Sequence, residues 1–230
     1  MPRRRRICTG EFVFHVVNRA SRRETLFFDS GDYRAFLVVL DEACRRVNLR
    51  LIAYCIMPNH WHLVLQPENG QQLSRFMHWL TMTHTQRFHC WHQTTGTGPL
   101  YQGRYKAIPV QGNDHLLRVV RYVERNALKA GLALTAEDWK WGSLRQRQDG
   151  VDAPPLAECP VRLPDDWVTL VNTPMDLDEV RAIRKAIRRG APYGEEDWVL
   201  HAVETLGLES AVRPRGRPRK KAPDPFFQFS

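Results

Sequence analysis

Cysteine is scarce in this chain: five residues in 230, at positions 8, 44, 55, 90 and 159, with no C-x-x-C spacing. An odd, scattered set argues against a disulfide framework and against a four-thiolate zinc site. Reduced thiols in a cytoplasmic protein are the simpler expectation. Long apolar runs are lacking too: nothing approaches the ~18 unbroken apolar residues of a membrane span. The opening residues, MPRRRR, lead into no apolar segment, so no secretory signal is expected. No GxxxxGK[ST] phosphate loop occurs, so no ATP-driven step of that kind is expected. Internal repeats are absent as well.

What is present is ordinary for a water-soluble globular chain, with 43% hydrophobic and 26% charged residues. The length suffices for one substantial core and a smaller appendage. The net charge of +9 is uneven: residues 213–221 (RPRGRPRKK) hold six basic side chains and no acid, leaving +3 for the rest. Arg3 to Arg6 form a second basic run. A moderately basic body with two basic ends fits a polyanion partner, although a solubilising surface has the same composition.

Hydrophobic periodicity orders the chain. Residues 11–19 (EFVFHVVNR) read as a strand. Phe36, Val39, Leu40, Ala43 and Val47 recur at helical spacing over 32–47. Residues 49–57 and 60–66 read as strands joined by a turn at Pro58-Asn59, too short for a parallel crossover. A second long helix is expected over 71–92, a strand over 103–110, and a third helix from about Asp114 to Lys129. This order predicts an α+β fold: a ferredoxin-like antiparallel sheet with helices packed on one face. After Gly150 the composition turns proline-rich, and two short helices are expected at about 176–189 and 194–206. The expected organisation is a catalytic domain over 1–150, a linker and helical extension over 151–212, and a basic tail over 213–230.

His60 and His62 lie two apart on a predicted strand. Period-two alternation points both imidazoles the same way and Trp61 to the opposite face. Two neutral imidazoles on one face suit a divalent ion, although such pairs also arise by chance. A third ligand must come from another element. In RYVERNALKAGL (121–132), Tyr122 and Asn126 lie four apart on one helical face. The Asn126 oxygen is a reasonable hard ligand. Glu124, on another face of that helix, and Glu68, beyond the strand end, are rivals. His78, His84, His89 and His92, spread over the second helix, are expected at most to make surface or DNA contacts.

The runs MPNHWHLV (57–64), LYQGRYKA (100–107) and RYVERNALKAGL together resemble the single-tyrosine transposases of the IS200-like class, which carry a His-hydrophobic-His motif. The likeness is closest to the branch associated with repetitive extragenic palindromic (REP) DNA, and residues 189–220 also look like that branch. The histidine motif alone is weak; with the tyrosine helix some sixty residues later, the combination is specific. The resemblance implies a ferredoxin-like nuclease domain that cleaves single-stranded DNA near a folded hairpin. It makes Tyr122 the nucleophile and His60, His62 and Asn126 the ligands of a divalent metal, Mg²⁺ or Mn²⁺. Where the family has Tyr-x-x-x-Asn-Pro, residue 127 here is alanine. That proline would shape the helix rather than do chemistry.

The expected activity is a metal-dependent single-stranded DNA endonuclease and strand transferase that forms a 5′-phosphotyrosine link at REP-like hairpin sites. The main alternative is a DNA-binding regulator of such elements that no longer cuts. A nuclease using water in place of tyrosine is a further one, and Tyr101 and Tyr105 are the first rival nucleophiles. Arg19, Arg22, Arg23, Arg104 and Lys106 are expected to contact the DNA backbone. Arg215-Gly216-Arg217-Pro218, with Arg219, resembles an AT-hook that could contact an AT-rich duplex in its minor groove. The protein is expected to act as a monomer or homodimer, with no membrane partner.

Overall fold

The computed structural model describes residues 12–150 and 154–213. Arg3 to Arg6 and the tail residues Arg215, Arg217 and Arg219 lie outside the described residues. Four strands form the sheet: β1 (Val13–Arg19), β2 (Arg50–Met57), β3 (His60–Gln66) and β4 (Lys106–Val110). They lie in the order β2-β3-β1-β4, with every neighbouring pair antiparallel. With α1 (Ser30–Val47) between β1 and β2, and α2 (Gln72–Trp91) between β3 and β4, this is the expected ferredoxin-like arrangement. β4 starts at Lys106 rather than 103, because the chain still bends at Gly103 in a positive-φ conformation (φ 153°).

The helix ends follow their sequence. Asp29 caps α1 by accepting from the backbone N–H of Gly31 (2.7 Å) and Asp32 (3.1 Å). At the other end Asn48 takes the left-handed conformation (φ 51°), one that asparagine tolerates better than most residues. The apolar stripe of α1 (Phe36, Val39, Leu40, Ala43) and that of α2 (Leu73, Phe76, Met77, Leu80) bury against Phe14, Val16, Tyr54, Trp61 and Leu63. Trp61 is fully buried here, and its indole N–H donates to the Tyr101 hydroxyl at 3.2 Å.

The opposite face of the sheet has its own core. A bulge in β2 between Leu51 and Ala53 turns both Ile52 and Ala53 towards it, joined by Cys55, Met57 and Val64. Helix α3 (Asp114–Glu124) lies across β2, β3 and β4 on this side, followed after Arg125 by α4 (Asn126–Lys129). The single helix expected to Lys129 is therefore interrupted at one residue. Two further helices, α5 (Ser143–Asp149) and α6 (Trp167–Asn172), precede the two expected after 175: α7 (Leu177–Arg189) and α8 (Glu196–Leu206). So α1 and α2 share one face, as expected, while the later helices α3 to α7 cover the other.

Both margins of the sheet are closed by these later segments. Ile56 N–H donates to Trp141 O (2.9 Å) and Tyr54 N–H to Ser143 Oγ (3.0 Å) along β2. Along β4, Tyr193 N–H donates to Pro109 O (2.9 Å) and Gln111 N–H to Tyr193 O (3.0 Å). Pro109 sits where a proline is tolerated, on an edge strand.

Glu124 ties α3 to the extension. Its carboxylate is buried and accepts from Ser143 Oγ (2.6 Å), Arg147 Nε (3.0 Å) and Trp167 Nε1 (2.7 Å). A buried carboxylate is tolerable only when it is paired and hydrogen-bonded, and here all three donors come from α5 and α6.

Candidate active site

Strand register sets the site. On β1 and β3, Arg19 pairs with His60, Val17 with His62 and His15 with Val64. Alternation then puts His15, Val17, Arg19, His60 and His62 on the face covered by α3, with Trp61 in the opposite core. His15 and His62 are diagonal neighbours across the strand pair, a separation that ring side chains bridge.

The tyrosine helix brings its own residues to this face. Tyr122, Asn126 and Lys129 follow at i, i+4 and i+7, and all three line an open cavity of about 1000 Å³ together with His60 and His62. The Tyr122 and His62 ring centroids are 5.9 Å apart, with planes at 81°. His60 and His62 are 5.1 Å apart at 74°. This meeting is made within one chain. Asn126 Nδ2 donates to the Tyr122 carbonyl at 3.0 Å, so its amide nitrogen ties α4 back to α3 and the oxygen is the end left for another partner.

Hydrogen bonds define which imidazole nitrogens are free. Asn59 Nδ2 donates to Arg23 O (3.2 Å), so Asn59 Oδ1 must accept, and His60 Nδ1 (2.7 Å) must donate to it. The lone pair of His60 is then on Nε2. His62 Nδ1 meets His15 Nε2 at 2.9 Å, leaving His62 Nε2 for the cavity. Burial, with help from Arg19, lowers the His60 pKa to about 4. Burial, then His15, His60 and Arg19, lowers that of His62 well below its ordinary value. Both rings are therefore neutral at neutral pH, the form that binds metals.

These donors fit a divalent ion. Among the described residues no three His, Cys, Asp or Glu side chains form a ready metal cluster, so the third protein donor would be the Asn126 amide oxygen. Two imidazoles, one amide oxygen and solvent suit an ion that keeps several waters. Glu124 is spent on its buried network, away from this cavity.

Basic side chains ring the opening. Arg19, Arg104 and Lys106 line the cavity, and so do Lys129 of α4 and Arg184 and Arg188 of α7. The last three were not singled out in the sequence; the i+7 spacing of Lys129 from Tyr122 was a usable signal, whereas nothing local placed the expected helix α7 (Leu177–Arg189) at this cavity. Lys106 Nζ donates to Arg188 O at 3.5 Å, tying the β4 wall to the α7 wall. Arg22 and Arg23 line a separate groove instead.

The rival tyrosine Tyr101 belongs to the other core, where its hydroxyl accepts from Trp61 and bonds His84 Nδ1 at 2.6 Å. Tyr105 is buried in that core too. His84 is a correction to the expected surface position: it is buried among Phe27, Phe36 and Tyr101.

A family model described as Transposase IS200 like matches residues 8–126, just over half of the chain, a span that ends at Asn126. A solved structure described as a REP-associated tyrosine transposase bound to a REP hairpin is similar at TM-score 0.51 and 20% identity, covering 70% of this chain and 94% of that one. At that identity the likeness speaks to the fold. A structure described as a candidate transposase from Deinococcus radiodurans matches at TM-score 0.37 and 17% identity, covering 54% of this chain and 96% of that one. No curated protein matches the chain.

Proposed function

The chain belongs to the IS200-like transposase family, and from that premise we propose that it cleaves and rejoins single-stranded DNA through Tyr122, at sites beside a folded hairpin. The observation that carries this reading is the meeting of the Tyr122 ring with His62, in the cavity that also holds His60 and Asn126. The REP hairpin bound in the similar solved structure supports a hairpin-bearing strand as the substrate.

The residues divide the work. His60 and His62 through Nε2, and Asn126 through Oδ1, would hold a divalent ion, Mg²⁺ or Mn²⁺. When bound, the ion neutralises a non-bridging oxygen of the scissile phosphate and so lowers its repulsion of a nucleophile. Arg19, Arg104, Lys106, Lys129, Arg184 and Arg188 attract and seat the flanking phosphates. The Tyr122 oxygen attacks phosphorus, one P–O bond forms to the phenol, and the P–O3′ bond breaks. The net proton passes from the phenol to the departing 3′ oxygen. The 5′-phosphotyrosine link conserves the phosphodiester, so a 3′-OH can reverse the attack and join a strand without ATP.

Incubating the full chain with Mg²⁺ and a hairpin-bearing single strand, then resolving the products on a denaturing gel, tests the proposal. A covalent protein–DNA complex lost in Tyr122→Phe is expected. Free 5′-phosphate ends with no complex would replace it with a water-dependent nuclease, and DNA binding with no cleavage would mark a regulator. The basic segment around Arg215, Arg217 and Arg219 is proposed to add contacts to AT-rich duplex beside the site. Monomer and homodimer are both compatible with a tyrosine that serves its own subunit.

A further inference from the structure

We infer that His15 is a positioning residue, which holds the His62 ring and its tautomer so that Nε2 is the nitrogen offered to the cation. The inference rests on His60 and His62 being metal ligands, as proposed. A metal-binding histidine almost always donates its other N–H to an outer partner, which fixes the ring and its tautomer. His60 has such a partner in Asn59, whose amide orientation is settled by its bond to Arg23 O. For His62 the partner is a side chain from a different strand: His15 Nε2, 2.9 Å from His62 Nδ1, with the rings stacked at 5.1 Å and 21°.

The pair admits two arrangements. With the shared proton on His62 Nδ1, His62 Nε2 carries a lone pair and can bind a metal. With the proton on His15 Nε2, His62 is protonated at Nε2 and cannot. The first arrangement moves the His15 proton to its Nδ1, which is buried and has no hydrogen-bond partner. In the second arrangement the same His15 Nδ1 is an unpaired buried acceptor, so burial there does not decide between the two and the cation does. A cation at His62 Nε2 selects the first. His15 is 1% exposed, between Val13 and Val17 on the same strand face. Packing alone is satisfied there by an apolar side chain, and an imidazole adds the acceptor that His62 needs.

The experiment is a Mn²⁺ titration of the full chain without DNA, read by the electron paramagnetic resonance of free Mn²⁺, for wild type, His62→Ala, His15→Leu and His15→Gln. Thermal melts confirm that each variant is folded. His62→Ala is expected to abolish the site and His15→Leu to weaken it by about 10–100-fold. His15→Gln is expected to stay close to wild type, because its carboxamide oxygen can accept from His62 Nδ1. A leucine variant that binds as tightly as wild type overturns the inference and leaves the metal site standing. A glutamine variant as weak as the leucine one overturns it in favour of simple packing. Equal behaviour of wild type and His62→Ala overturns the metal site, and this inference with it. Should the leucine variant not fold, nitrogen-15 spectra of the Mg²⁺-loaded wild type decide: His62 protonated at Nδ1 is expected, and protonation at Nε2 overturns the inference.

Discussion

The Tyr122 ring meets the His62 ring edge to face, with centroids 5.9 Å apart and planes at 81°. The same tyrosine lies 6.1 Å from His15 at 71°. Packed against two imidazoles, the phenol has little freedom to swing, so its oxygen is directed by the fold rather than by a mobile loop. Positioning of this kind lowers the entropic cost of bringing a nucleophile to phosphorus.

Tyr122→Phe removes one oxygen and keeps the ring contacts. Covalent complex formation is expected to vanish, a loss of at least about 100-fold, while binding to the same strand in a gel-shift assay stays within a few-fold. Tyr101→Phe, on the far side of the sheet, is expected to keep the complex. A persistent adduct in the Tyr122 variant would assign the attack to another residue.

His60→Ala is expected to abolish cleavage at Mg²⁺ concentrations that saturate the wild type. Chelation of divalent ions is expected to stop the wild-type reaction, and added Mg²⁺ or Mn²⁺ to restore it. Cleavage that continues at the wild-type rate in either setting would remove the metal from the mechanism.

Glu124→Ala is expected to destabilise the chain by about 3–5 kcal/mol, the usual loss when a buried ion pair forfeits one partner. The Arg147 guanidinium would be left without its carboxylate, and Ser143 and Trp167 would lose their acceptor. Urea denaturation measures this loss. A shift below about 1 kcal/mol would mean that solvent replaces the network easily.

Acid is expected to weaken the fold partly through His84. Burial first, and then the neighbouring His92, lowers its pKa to about 3. Unfolded, it takes up a proton below about pH 6.5. The unfolded state therefore gains protons that the folded state refuses, and stability falls as the pH drops from that value towards 3. The slope per buried histidine is about 1.4 kcal/mol per pH unit. His84→Gln retains an acceptor for Tyr101 and cannot titrate. Its urea midpoint is expected to change less between pH 7 and pH 4.5 than that of the wild type.

Arg184→Ala and Arg188→Ala are expected to weaken single-strand binding without touching the Tyr122 ring. If each arginine neutralises one phosphate, each replacement lowers the slope of log affinity against log salt by about 0.7. An unchanged slope in both variants would place the strand on another part of the rim.

The paired histidines were legible because strand alternation is a local rule. His60-Trp61-His62 needs no partner strand to show two rings on one side and an indole on the other. Tyr122 and Asn126 were legible for the same reason on a helix. His15 was not: it is one histidine in an apolar strand, and only the register of β1 against β3 brings it to His62. Arg184 and Arg188 escaped because their helix reaches the cavity through tertiary packing on β4. The short helices α5 and α6 lack the length for a clear apolar stripe, and Glu124, which anchors them, has partners up to 43 residues away. His84 shows the limit in reverse, since nothing in its helix distinguished a core ring from a surface one.

The capped sheet margins bear on how the chain can be divided. Residues 139–143 and 193 complete the hydrogen bonding of β2 and β4. A fragment stopped at residue 150 would keep the bonds of Trp141 and Ser143 to β2, lose that of Ala157 N–H to Leu51 O, and lose the second seam altogether, leaving β4 as an open template for another chain. Such a fragment would be prone to self-association whatever chemistry it retained, whereas one that carries α7 and the turn at Tyr193 keeps that margin closed.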